Sequence, residues 1–106
     1  MKVPMTEVIA LRRLSWEGEL NRDVLVSIGK PAEAPDSQGE FYCPIHTVGL
    51  GNDEIVTAIF GVDGFQAIEL DLRFIEWRLA DINSKNGGRL RWLDGQLPKE
   101  WVQKEQ

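Results

Sequence analysis

The most regular pattern of apolar and polar positions in the chain covers residues 61–82, GVDGFQAIELDLRFIEWRLADI. Its apolar residues recur every three or four positions, which predicts one long amphipathic helix. A first apolar row consists of Phe65, Ile68, Leu72, Ile75, Leu79 and Ile82, and a second row, nearly opposite, consists of Ala67, Leu70, Phe74 and Trp77. We expect the first row to pack on a sheet, with Leu70, Phe74 and Trp77 pointing away from it.

Both ends of this helix have sequence signals. Asp63 is a suitable N-cap, and Gln66 three positions later can complete a capping box. Gly87 and Gly88 suit the left-handed backbone conformation that follows the last helical turn.

Strands are predicted on both sides of the helix. Alternating patterns at 8–16 and 23–30 are joined by a segment with Gly18 and Asn21, and EFYCPIHTVGL is joined to EIVTAIFGV through Gly-Asn-Asp at 51–53. Pro44 has no N–H to donate, so we expect it at a sheet edge or in a bulge. RLRWL at 89–93 predicts a last short strand.

These elements follow the order β-β-β-β-α-β, which predicts an α+β fold. We expect an antiparallel meander of four to five strands with one long helix packed on one face. The 106 residues are interpreted as a single domain, with an ordered core at about 7–94 and a tail at 95–106 that contains a short helix beginning at Pro98. The proline-rich segment 31–39 is predicted to be an exposed loop.

The balance of acidic and basic residues limits the classes of molecule that the protein is expected to bind. Seventeen acidic and twelve basic residues give a net charge of −5, which disfavours binding to nucleic acid and to anionic membranes. A single cysteine, Cys43, excludes an internal disulfide and fits a reducing compartment. The N-terminal residues do not resemble a signal peptide, and no apolar run is long enough to span a membrane. We therefore expect a cytoplasmic protein.

Cys43 and His46, in the sequence CPIH, are weak candidates for a ligand site. A structural zinc site needs four ligands, and the chain has no further cysteine or histidine. Residues three apart on a regular strand also point to opposite faces, which argues against a thiol–imidazole pair. We interpret Cys43 as a core residue and His46 as a surface or partly buried one, and we expect no metal, no cofactor and no catalytic residue.

Other polar clusters favour structural roles. The glycines of GLGND do not lead into a helix, so they indicate a turn rather than a phosphate-binding loop. Asp63, with Asp53 and Glu54 nearby, is interpreted as a helix cap rather than as part of a carboxylate site. Four arginines, Arg12, Arg13, Arg89 and Arg91, would meet if the first and last strands were neighbours, and we expect them to form cross-strand salt bridges rather than an anion site.

Three clusters resemble a known kind of protein: Cys43 and Pro44 followed by GLG at 49–51, GVDGFQAI at 61–68, and GGRLRWL at 87–93. Together they resemble a family of small, uncharacterised bacterial cytosolic α+β domains, loosely similar in layout to immunity-type proteins of contact-dependent toxin systems. The similarity extends from the first strand to Leu93 and rests on turns, a cap and a strand. It implies a bacterial origin and an unknown function, and it brings no catalytic residue.

The functional hypothesis is based on the second apolar row of the predicted helix. Water-exposed aromatic residues in a contiguous patch usually mark a contact. Either the tail, with Leu97, Trp101 and Val102, covers the row, or a second copy or another protein does. We favour a non-catalytic interaction module that uses its outer helix face and acidic surface, with Leu70, Phe74, Trp77 and Trp101 as interface candidates. The alternative is a small-molecule-binding protein or minor enzyme with a cleft near the 31–39 loop, Cys43 and His46.

Overall fold

The computed structural model describes residues 3–18, 22–35, 39–51 and 55–92, and of Trp92 only the backbone. These residues form an α+β fold, as predicted. The elements are β1 (Val8–Trp16), β2 (Asp23–Gly29), β3 (Ala32–Glu33), β4 (Phe41–Val48), β5 (Val56–Gly61), α1 (Gly64–Lys85) and β6 (Leu90–Trp92). The turn residues 19–21 and 52–54 and the predicted tail lie outside the described part of the chain.

All described strands pair antiparallel in one sheet. Pairing places β2 between β1 and β4, with β5 on the far side of β4 and β6 on the far side of β1. Consecutive pairing of β1, β2, β4 and β5 confirms the predicted meander. The helix then carries the chain back across the sheet, so that the last strand joins the first, with Leu14 opposite Trp92.

Pro44 lies in a central strand, so its predicted edge position is wrong. The ladder is instead interrupted beside it: β2 pairs with β4 as far as Ile28 opposite Ile45, and pairing resumes where β3 places Ala32 opposite Tyr42. This register brings Gly29 beside Pro44, which has no N–H to donate. The thiol of Cys43 donates to the Gly29 carbonyl at 3.2 Å instead.

The segment 31–39 is therefore only partly the exposed loop that its prolines predict. Ala32 and Glu33 pair with β4, and Ala34 is buried in a small cluster with Val3 and Tyr42. Tyr42 also donates its hydroxyl hydrogen to the carbonyl of Pro4 at 3.3 Å. This small cluster lies on the sheet face opposite the helix, because Tyr42 alternates with Cys43 along β4.

Both ends of α1 confirm the predicted caps. The Asp63 carboxylate accepts a hydrogen bond from the backbone N–H of Gln66 at 2.8 Å, and the Gln66 side chain accepts one from the backbone N–H of Val62 at 2.8 Å. At the other end, Gly87 and Gly88 adopt φ of 75° and 72°. Because this left-handed conformation suits glycine, the helix ends where the sequence predicts.

The side of α1 that faces the sheet differs from the prediction. Its buried residues are Ala67, Asp71, Leu79 and Asn83, and its partly buried residues packed against the core are Ile68, Phe74, Ile75, Ala80 and Ile82. Phe65 and Leu72, assigned to the buried row, are instead 88% and 55% exposed. The prediction was wrong for these two residues and for Phe74.

Close approach of the helix to β5 explains this rotation. A Cβ atom built on Gly61 would lie 2.6 Å from the backbone nitrogen of Ala67, so the first helical turn nearly touches the strand. Only small side chains fit at such a contact. Ala67 therefore faces inward, and the bulky Phe65 is turned outward.

Candidate interaction surface

The aromatic pair Phe74 and Trp77 lies at the border between the sheet-facing side of α1 and its outer surface. Phe74 is half-buried and packs against the core, whereas Trp77 is 58% exposed. Their ring centroids are 6.0 Å apart and the rings are tilted by 40°, a favourable aromatic arrangement. The pair thus consists of one ring fixed in the protein and one ring presented to solvent.

A shallow cleft lies beside Phe74, between the helix and the sheet. Phe74 and Arg78 line it from α1, and Thr47 and Thr57 line it from β4 and β5. The cleft encloses room for roughly one water molecule. Ligand pockets are usually on the order of 300–1,000 Å³. This depression is suited to the end of one side chain rather than to a small-molecule substrate.

Other apolar side chains are exposed on a different side of the helix. Phe65 and Leu72 are seven positions apart and therefore lie on the same side of α1. Val62, just before the helix, is 71% exposed. Leu70, an interface candidate from the sequence, is half-buried. Phe65 and Leu72 were predicted to be buried because their spacing is also that of a buried row.

Trp101, the fourth interface candidate, lies outside the described residues. The same holds for Leu97 and Val102, and for the helix predicted to begin at Pro98. Coverage of Phe74 and Trp77 by the tail therefore stays a prediction.

Cys43 and His46 lie on opposite faces of the sheet. Cys43 is completely buried in the core beneath the helix. His46 alternates with it along β4, lies opposite Ser27 of β2, and is half-buried on the other face of the sheet. The interpretation of Cys43 as a core residue is confirmed.

Burial also disfavours ionisation of the Cys43 thiol. Burial raises its pKa to about 12, and the neighbouring Asp71 carboxyl adds to the rise. A protonated thiol is neither a nucleophile nor a metal ligand. Within residues 3–18, 22–35, 39–51 and 55–92, no group of three or more His, Cys, Asp and Glu side chains is placed to hold a metal ion.

Asp71 is a buried polar residue that the sequence analysis did not identify. It is fully buried beneath the helix, and neither carboxylate oxygen has a hydrogen-bond partner among the described residues. Burial raises its pKa to about 7. The sequence offered one signal, since Asp71 lies four positions from both Ala67 and Ile75 on the inward face. Its enclosure makes Asp71 a determinant of stability rather than a group that meets substrate.

Three of the remaining polar candidates, Arg91, Arg89 and Asp63, have structural contacts. Arg91 forms an ion pair with Glu17 at 2.8 Å, which confirms the predicted salt bridging for this arginine. The Arg89 guanidinium lies over the Trp16 ring, 5.8 Å from its centroid. Asp63 caps the helix, and Asp53 and Glu54 lie outside the described residues.

Comparison with known proteins identifies the family of this chain. Residues 10–100 match the model of a family described as a domain of unknown function (DUF6968). The chain belongs to this family. No curated protein and no solved structure matches the chain. Over the residues that the structure describes, no helix has the length and apolar character required to cross a lipid bilayer.

Proposed function

We propose that this protein is a non-catalytic interaction module that binds a protein partner through Trp77 on the outer face of α1 and the half-buried Phe74 beside it. The observation that carries the proposal is the 58% exposure of the Trp77 ring, which is held against a ring packed on the core. Burying a large apolar side chain is worth about 1.5–3 kcal/mol. A partner that covers Trp77 would gain this free energy.

The position of Trp77 also resembles that of the residues that contribute most of the binding free energy in protein–protein interfaces. Trp and Tyr are enriched among such residues, which lie in pockets and are surrounded by polar groups. Phe74 contacts one side of the Trp77 ring, and such a contact reduces the side-chain freedom that is lost on binding. The cleft beside Phe74 can receive the end of one side chain from the partner, with Arg78 at its wall.

The chemistry of the partner follows from the net charge of −5. A basic protein would be attracted by an acidic one and would associate faster with it. Together with the resemblance to immunity-type proteins, this charge favours a bacterial, cytoplasmic factor that binds a basic partner such as a nuclease toxin. The placement of Cys43 and His46 on opposite faces supports no second proposal of a ligand site or an enzyme.

The proposal is tested by comparing three immobilised baits in lysate from the source cells. The baits are the wild type, Trp77→Ser, and Arg73→Ser, which changes an exposed residue one turn away on the same helix. We expect wild type and Arg73→Ser to retain the same protein in near-stoichiometric amount. We expect Trp77→Ser to lose it by about tenfold or more, as for a dominant contact residue. Equal retention by Trp77→Ser, with its fold intact by circular dichroism, would contradict the proposal.

A further inference from the structure

The N-terminal half of α1, residues 64–72, is anchored to the sheet by little apolar surface. Its fully buried side chains are those of Ala67, which is small, and Asp71, which is polar. Ile68 is half-buried and packs against the core. Two further large apolar side chains of this half are exposed, those of Phe65 and Leu72. Segments with few buried apolar contacts open locally at a lower cost in free energy than the rest of a fold does.

The C-terminal half of α1, residues 73–85, is anchored more firmly. Leu79 is buried in the core, and the buried Asn83 side chain accepts a hydrogen bond from the backbone N–H of Leu90 at 2.8 Å. The side chains of this half that pack partly on the core are Phe74, Ile75, Ala80 and Ile82. We therefore expect the N-terminal half to leave the sheet more readily than the C-terminal half.

Asp71 makes the attachment of the N-terminal half depend on a proton. Its side chain is fully buried, and neither carboxyl oxygen has a hydrogen-bond partner among the described residues. It lies next to the thiol of Cys43, which donates to the Gly29 carbonyl at 3.2 Å. Burying a carboxylate without partners costs far more free energy than burying a neutral carboxyl group. Ionisation of Asp71 therefore favours an arrangement in which its carboxylate reaches water.

Neither β4 nor β5, the two strands over which the helix lies, supplies a positive charge to Asp71. On β4, Cys43 is the titratable residue on the helix side, because Tyr42 and His46 alternate onto the other face of the sheet. The sequence of β5, VTAIFG, contains no titratable residue.

The helix itself supplies no counter-charge either. The residues one turn away from Asp71 are uncharged, namely Ala67, Ile68, Phe74 and Ile75. The charged residues two positions away, Glu69 and Arg73, form an exposed ion pair with each other at 3.1 Å. The described part of the chain therefore offers an ionised Asp71 no partner, and water is the environment that would stabilise its charge.

We propose that the N-terminal half of α1 opens when Asp71 loses its proton, while the C-terminal half stays on the sheet, so that a rise in pH exposes Cys43. Opening separates Ala67 from Gly61, which lie in close contact in the closed state, and it brings Asp71 into water. A pH-dependent conformational change is thereby built into one helix. Trp77 lies in the C-terminal half and takes no part in this change.

The pKa values of Asp71 in the two states set the pH range of the change. Burial holds its pKa at about 7 in the closed state, whereas its ordinary value in water is 3.8. The equilibrium constant for opening therefore rises about tenfold per pH unit between these two values and levels off above about pH 7. The total change is on the order of 10³-fold.

Cys43 reports this opening directly, because it is the one cysteine of the chain. The labelling rate of the native protein with dithiodipyridine is divided by the rate for the urea-unfolded chain at the same pH, and this ratio gives the equilibrium constant for opening. We expect the ratio for wild type to rise by on the order of 10³ from about pH 4 to about pH 7 and to change little at higher pH. In Asp71→Asn the ratio should not show this rise.

The urea dependence of labelling distinguishes local opening from global unfolding. Local opening exposes little surface, so labelling of Cys43 at about pH 7 should depend on urea much less steeply than global unfolding does. The variant Cys43→Ala/Ile45→Cys provides a matched control, since Ile45 is buried beneath the C-terminal half, beside Phe74 and Leu79. Labelling at position 45 should follow the full urea dependence of global unfolding.

Three results would overturn the proposal. The first is a wild-type ratio that does not change between about pH 4 and about pH 7, and the second is the same rise in Asp71→Asn, which would assign it to other groups. The third is a urea dependence at Cys43 as steep as that of global unfolding, or an equally shallow one at position 45, since neither fits an opening confined to residues 64–72. The measurements on wild type decide the outcome even if a variant does not fold. Partner capture through Trp77 is measured separately, so either proposal can fail alone.

Discussion

The two faces of α1 are less sharply divided into an apolar and a polar side than those of an ordinary amphipathic helix. The inward face contains two fully buried polar residues, Asp71 and Asn83, whereas Phe65, Leu72 and Trp77 are exposed. A surface helix normally buries its apolar row. Here the close contact between Ala67 and Gly61 fixes the rotation, and large apolar residues remain outside. The helix therefore leaves several large apolar side chains in contact with water. Its exposed rings are candidates for contact with another molecule.

The two buried polar residues also differ from each other. The Asn83 side-chain oxygen accepts a hydrogen bond from the backbone N–H of Leu90 at 2.8 Å. Its backbone carbonyl accepts one from the N–H of Gly88 at 2.8 Å. Asn83 therefore connects the end of the helix to β6. Asp71 has no comparable partner among the described residues. Buried groups without hydrogen bonds destabilise a fold, whereas satisfied ones define its geometry. Asn83 thus helps to define the fold. We expect Asp71 to make the stability of the fold depend on pH.

The largest expected effect contrasts two leucines of α1. Leu79 is buried in the core and Leu72 is exposed. We expect Leu79→Ala to lower the free energy of unfolding by about 2–5 kcal/mol, because it leaves a cavity. Leu72→Ala should change it by less than about 0.5 kcal/mol. Urea unfolding of both variants measures this difference, and equal losses would show that the helix is rotated differently.

The second prediction concerns pH. Since burial raises the pKa of Asp71 from 3.8 to about 7, the folded state binds this proton more tightly than the unfolded state does. The stabilisation from Asp71 is therefore fully present below pH 3.8 and is lost as pH rises through about 7. Relative to Asp71→Asn, wild type should lose up to about 4 kcal/mol across this range.

Chemical unfolding of wild type and Asp71→Asn at several pH values measures this difference. Taking the difference removes the contributions of other titrating groups, which the two proteins share. A difference that does not change with pH would contradict the enclosure of Asp71.

The third prediction tests Asn83 as the counterpart of Asp71. Asn83→Ala leaves the buried N–H of Leu90 without its acceptor, so we expect a loss of about 1–3 kcal/mol in unfolding free energy. Ser84→Ala, at the neighbouring exposed position, should change it by less than about 0.5 kcal/mol. Hydrogen exchange at Leu90 should also accelerate in Asn83→Ala. Unchanged protection of that amide would mean that the side chain is not its acceptor.

The smallest expected effect distinguishes the two rings of the outer surface. Phe74→Ser should lower the unfolding free energy by about 1–2 kcal/mol, because this ring packs partly on the core. Trp77→Ser should cost only about 0.5 kcal/mol, since its ring is mostly in solvent. Thermal unfolding compares the two variants. If Trp77→Ser were the more destabilising, the ring would have a partner within the chain.

Much of the fold was predictable because its signals are local. The Asp63 cap and the glycines after Lys85 act over a few residues, and alternating patterns mark the strands. The rotation of α1 was not predictable, because it depends on Gly61 lying beneath Ala67 in the folded chain. The pairing of β3 was also missed, since it depends on how the chain passes Pro44.

The candidate surface was predictable only in part. The exposure of Trp77 follows from its position opposite the buried row. Phe65 and Leu72 were misplaced because their spacing fits a buried seam equally well, and periodicity cannot show which of two apolar rows faces a sheet. Asp71 lies four positions from both Ala67 and Ile75, but this spacing indicates burial only once the rotation of α1 is known.

Photocrosslinking in living cells tests the central claim most directly. A photoreactive phenylalanine analogue at position 73, one helical turn from Trp77, is compared with the same analogue at exposed Glu33 on β3. We predict one discrete crosslinked protein from position 73 that disappears when Trp77→Ser is added, and none from position 33. Equal crosslinking with and without Trp77, or the same product from position 33, would contradict a contact made through the outer face of α1.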